Sequence, residues 1–101
     1  MILYNVTVSL DSSIEKEWIK WMKEVHIPEV METGLFVKNK IMRLLEPAAE
    51  DGSATYAIQY FLNTEADYKN YNDNFAPALQ KKHMDKYKDK FVAFRTVLEV
   101  L

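Results

Sequence analysis

At 101 residues, with 49% hydrophobic and 13% aromatic side chains, the chain has material for one domain with a real core, and that composition excludes disorder. A formal net charge of −2 argues against a nucleic-acid partner, which ordinarily meets a basic excess, and zero cysteines remove disulfides, iron–sulfur clusters and thiolate zinc sites. No apolar run approaches the roughly 20 residues of a membrane span, and Met1-Ile2-Leu3-Tyr4 opens straight into a strand pattern, so a cytoplasmic protein without a signal peptide or membrane contact is expected.

Ile2 to Leu10 alternates cleanly, Ile2, Tyr4, Val6, Val8 and Leu10 on one face and Leu3, Asn5, Thr7 and Ser9 on the other, which predicts a strand. Asp11-Ser12-Ser13 supplies cap residues, and Ser12 with Glu15 predicts a capping box. Ile14, Trp18, Trp21, Met22 and Val25 then form one stripe at helical period. Pro28 should interrupt that helix, because it lacks an N–H and disfavours helix at Ile27. A short turn from Pro28 to Glu32 follows, and Gly34 ends it.

Residues 35–46 read as a second strand, residues 47–53 as a hairpin loop ending in Asp51-Gly52, and residues 54–62 as a third strand. Thr64 with Asp67 predicts the cap of a short polar helix over 64–73, with Tyr68 and Tyr71 inward. A further helix from Phe75-Ala76-Pro77 to about Tyr87 offers Leu79, His83, Met84 and Tyr87 to the interior. Phe91 to Leu101 closes the chain as a strand whose two faces are both largely apolar, so it needs cover on both sides.

The order β-α-β-β-α-β, with two right-handed crossovers and one hairpin, predicts an α+β ferredoxin-like fold as a single domain over residues 1–101. The antiparallel four-stranded sheet is expected in the order 4-1-3-2 with both helices on one face. The other face, carrying Leu3, Phe36 or Val37, Phe61 and one side of the last strand, has no helix left to cover it. An open apolar face of that kind predicts a homodimer in which two sheets close into a barrel, a contact able to reach the roughly 1,600 Å² of a standard interface.

The Leu3-Tyr4-Asn5-Val6-Thr7 strand, Trp18-Ile19-Lys20-Trp21-Met22 running into His26-Ile27-Pro28, Gly34-Leu35-Phe36, and above all the Phe94-Arg95-Thr96-x-Leu98-Glu99 ending resemble a small bacterial domain family of unknown function. That family resembles the dimeric α/β-barrel superfamily, which holds antibiotic-biosynthesis monooxygenases, stress-response barrel proteins and haem-degrading enzymes. The resemblance implies fold and dimer and implies no activity. Haem-degrading relatives use an asparagine, a tryptophan and a histidine around the ring. Asn5 matches the first, but Trp18, Trp21 and His26 lie on the first helix instead of the third strand and second helix.

His26 is the sharpest candidate for a general base, and a rim histidine capping carbonyls at a helix end is the competing role. Asn5, Thr7, Gln59 and Arg95 are polar groups on otherwise apolar strands. They either line a small chamber, with Asn5 or Arg95 steadying an oxyanion, or pair with one another across a dimer. Trp18, Trp21 and Tyr60, with Gln59, are candidate ligand-binding residues in an aromatic-rich interior. His83 has Lys81, Lys82 and Lys86 as neighbours, which suggests a solvated face. There is no Gly-rich phosphate loop and no metal-ligand spacing, so no metal and no cofactor are expected.

These features predict a homodimeric small-molecule-binding or scaffold module. The alternative is a cofactor-independent monooxygenase- or isomerase-like enzyme acting on a small apolar or aromatic substrate. Convergence decides between them: an enzyme needs His26, Asn5 and Arg95 on one cavity with a vacant centre.

Overall fold

Strict alternation of apolar side chains and turn residues at both ends produce the two central strands. The computed structural model describes residues 1–101 and places them as β1 (Ile2–Leu10) and β3 (Ala54–Leu62), with bounds as the alternation predicts. Between them lie a helical arm, α1 (Glu15–Trp21) and α2 (Ile27–Met31), and the edge strand β2 (Lys38–Arg43). After β3 come α3 (Glu65–Asn74), α4 (Ala76–Lys86) and the last strand β4 (Phe91–Glu99). All pairings are antiparallel and the sheet order is β2-β3-β1-β4, the predicted 4-1-3-2 read from the other edge. The helices cover one face, which gives the ferredoxin-like arrangement. No helix is long and apolar enough to cross a membrane.

Register divides the sheet into two surfaces, because directly paired residues project from the same side. On the helix side Ile2, Tyr4, Val8 and Leu10 of β1 meet Tyr56, Ile58, Tyr60 and Leu62 of β3, all buried. Trp18, Met22, Ile27 and Val30 from the arm and Tyr71, Leu79 and Tyr87 from the later helices complete this core. Phe36, just before β2, joins it by packing its ring on Tyr4, Tyr60 and Tyr71 at centroid distances of 6.3, 5.2 and 4.8 Å.

The other side of the sheet has no cover. Leu3, Phe61 and Leu98 form one row across β3, β1 and β4, and Met42, Ala57, Thr7 and Phe94 form another. Between these rows runs a polar one, Lys40, Gln59, Asn5 and Thr96. Val92 and Phe94 on this side are 72% and 62% exposed.

Several local expectations are corrected. Pro28 does not interrupt the first helix: a wide π turn over Met22–His26 joins α1 to α2, with the Ile27 N–H bonded to the Met22 carbonyl five residues back. The widened turn is where the helix absorbs a residue that has no N–H and whose ring crowds the preceding carbonyls. It also rephases the stripe, so Val25 faces outward, 40% exposed, and Ile27 is buried in its place. The predicted Ser12–Glu15 capping box does not form. Asp11 accepts from the Ser13 N–H at 2.9 Å, and Glu15 accepts from the Tyr56 hydroxyl at 2.6 Å. The second strand is shorter than residues 35–46, because Phe36 turns into the aromatic cluster and residues 44–46 run past its last ladder pair with β3. The fourth helix buries His83, as its place among the inward candidates predicts and against the solvated face that its lysine neighbours suggested, but it leaves Met84 outside.

Candidate functional site

Three rows of the sheet and three helical segments meet around one recess. Register lines up Ile58, Val6 and Arg95 across β3, β1 and β4, with Tyr60 and Tyr4 on one side and Val8 and Ala93 on the other. The arm contributes Met22, His26 and Val30, α3 contributes Tyr71, and α4 contributes Leu79, Gln80 and His83. The recess and the open space at its mouth together take about 440 Å³, but free space at its heart is only about 30 Å³. That heart has room for one or two water molecules. The mouth lies between α4 and β4, where Gln80, Ala93 and Arg95 line both the recess and the groove outside it.

The polar groups differ in how well they are satisfied. The fully buried Trp18 donates its indole N–H to His83 Nε2 at 2.8 Å, so that nitrogen carries no proton. Burial pushes His83 down to about 4, and the nearby His26 and Arg95 push the same way. His26, the last residue of the wide turn, stacks on Trp21 with ring centroids 4.8 Å apart and lies 5.6 Å from the His83 ring. Burial pushes His26 down to about 4 as well, Glu29 opposing and Lys82 and Arg95 assisting. Its Nδ1 is buried with no hydrogen-bond partner. Burial raises Tyr4, Tyr60 and Tyr71 above the ordinary tyrosine range, and the Arg95 guanidinium opposes that rise at Tyr4 and Tyr71. With both histidines neutral, Arg95 is the one formal charge on the lining, and it makes no ion pair.

Sequence reasoning therefore meets a divided outcome. His26, Arg95 and Tyr60 line the recess together. Asn5 and Gln59 are paired neighbours on the uncovered side of the sheet, where Asn5 donates from Nδ2 to Thr7 Oγ1 at 3.1 Å, so neither reaches His26. Trp18 acts behind the lining through His83, and Trp21 acts through its stack on His26. Nowhere do three His, Cys, Asp or Glu side chains come together to hold a metal ion. Gln80 and His83 were not among the predicted site residues. The available signal was that His83 lies four residues from both Leu79 and Tyr87, a buried stripe that outweighs its lysine neighbours.

Comparison with known proteins gives the chain its family. A family profile described as a domain of unknown function, DUF4286, matches residues 1–101. The chain belongs to the DUF4286 family. No curated protein matches it. The DUF4286 fold is similar to HapK from Hahella chejuensis, with a TM-score of 0.71 at 12% identity over 100% of this chain and 93% of that one. It is similar to a dimeric ferredoxin-like protein from an uncultured marine organism, with a TM-score of 0.70 at 13% identity over 100% of this chain and 95% of that one. It is also similar to an ethyl tert-butyl ether d (EthD) family protein from Bacillus halodurans C-125, with a TM-score of 0.67 at 13% identity over 100% of both chains. At such identities the likeness is one of fold, and the DUF4286 site has to be read from its own residues.

Proposed function

We propose that this DUF4286 protein is a small-molecule-binding homodimer in which each subunit holds a ligand in the recess beneath its sheet and the two subunits meet through their uncovered sheet faces. The observation that carries the binding half is convergence. His26 and Arg95, far apart in sequence, both line one largely apolar recess, where the buried His26 Nδ1 has no hydrogen-bond partner and the Arg95 guanidinium has no ion-pair partner. The dimer half is supported by the exposed Val92, Phe94 and Leu98 on the bare sheet face, which a second copy would cover, and by the fold it shares with a dimeric ferredoxin-like protein.

A second reading, a cofactor-independent monooxygenase or isomerase with His26 as base and Arg95 steadying an oxyanion, is favoured by the free Nδ1 alone. Two observations weigh against it. Asn5 sits on the wrong side of the sheet, and a histidine held at about 4 is a weak base near neutral pH, where an effective one titrates close to the working pH. Native mass spectrometry of freshly purified protein tests the proposal in one measurement. The expected species is twice the 11.9 kDa subunit with an additional retained mass. A bare 11.9 kDa chain at every concentration overturns the dimer, and a dimer that neither retains nor takes up any small molecule overturns the binding role.

A further inference from the structure

The recess is lopsided in its chemistry, and the lopsidedness specifies a class of molecule. At the mouth stands Arg95, with Gln80 reaching the same opening from α4. No carboxylate lines the recess, and none lies within ion-pair distance of the guanidinium. A guanidinium offers a planar fork of donors that matches a carboxylate, and here it has only uncharged neighbours on the lining, the Tyr4 hydroxyl among them. The outer groove sets Asp85 and Asp89 against Lys88, so a polyanion gains nothing there and a single negative charge is what Arg95 can hold. The walls are Tyr4, Tyr60, Tyr71 and Ile58, which suit an apolar or aromatic body. Inside, His26 Nδ1 lacks a partner. A hydroxyl satisfies that nitrogen in either tautomer, because it both donates and accepts.

We infer that the recess takes a compact hydroxycarboxylic acid with an apolar or aromatic body, its carboxylate held by Arg95 and Gln80 at the mouth and its hydroxyl by His26 Nδ1 within. The inference rests on the recess being a ligand site and adds the kind of ligand. Because the heart is only about 30 Å³, the hydroxyl alone enters it, and the apolar body and the carboxylate stay in the wider outer part of the recess, toward its mouth.

The test titrates three compounds into the purified protein while the ring resonances of His26 and His83 are followed by NMR: mandelate, methyl mandelate, which lacks the charge, and phenylacetate, which lacks the hydroxyl. Mandelate is expected to shift both rings saturably, with the other two binding about tenfold more weakly or worse. In Arg95→Gln, a change at an exposed side chain, mandelate weakens about tenfold or more while methyl mandelate is unaffected. In His26→Phe, which keeps a ring against Trp21, mandelate and phenylacetate bind alike, as read from the His83 resonances. Equal binding of the ester and the acid, or an Arg95→Gln variant that binds mandelate normally, overturns the ligand class and leaves the ligand site standing. Silence from all three compounds overturns the class alone if the native mass spectrum shows a different retained molecule, and overturns both readings if it shows none.

Discussion

Trp18 fixes which tautomer the neutral His83 adopts. An indole N–H at 2.8 Å from Nε2 leaves no room for a proton on that nitrogen, and burial disfavours the cation besides. His83→Leu strands the buried donor and is expected to cost about 1–3 kcal/mol, whereas His83→Gln keeps an acceptor and costs less; urea unfolding measures both. The same burial makes stability depend on pH. His26 and His83 titrate at about 4 in the folded protein against 6.5 for an ordinary histidine. As pH falls from 6.5 the unfolded chain takes up these protons first, so stability is flat above 6.5, declines between 6.5 and about 4, and loses nothing further from these groups below that. The loss is on the order of 3 kcal/mol per histidine. Urea midpoints across that window, compared with a His26→Phe, His83→Gln double variant, are expected to show the decline flattened in the variant. None of this was legible in the sequence, where His26 looked like a rim residue or a base and His83 sat among lysines. Residue type gives the chemistry, while tautomer and basicity come from neighbours that only folding supplies.

At the scale of elements, legibility tracked how local the governing interaction is. β1 and β3 followed from alternation because each is buried on one face by period-two packing. The Thr64 cap followed because it is made within four residues, Thr64 Oγ1 accepting from the Asp67 N–H at 3.1 Å. Thr64→Ala is accordingly expected to cost about 1 kcal/mol, read as a shift in the thermal or urea midpoint. The helical arm was misread because Pro28 was treated as a stop, when a wide turn ahead of it lets the helix continue. Glu15 was assigned to a cap and instead bonds the Tyr56 hydroxyl across to β3, which also receives the Arg43 Nε–H at 3.0 Å, a tertiary choice that no local spacing encodes.

At the scale of the whole molecule, the two sides of the sheet behave differently. Phe94 is 62% exposed in the isolated subunit, so Phe94→Asp should leave the fold intact and abolish self-association. Circular dichroism is expected to be unchanged while light scattering falls from twice the subunit mass to a single subunit; a folded dimeric variant contradicts the proposed contact. The bare face could be foreseen by counting helices against sheet faces. The recess could not, because it exists only where register aligns Arg95 with Val6 and α4 turns His83 inward. The polar row Lys40, Gln59, Asn5 and Thr96 has a consequence for how two copies would meet. Grease alone lets flat surfaces slide, but amide groups sealed between two sheets must each find a mate or lose their hydration. Shifted by one rung, they would face Phe61 and Leu98 or Met42 and Phe94. In the proposed dimer the stripe would act as a ruler that sets alignment without adding grip, and an Asn5→Leu, Gln59→Leu protein should pair at least as tightly yet give several sets of amide signals where the parent gives one.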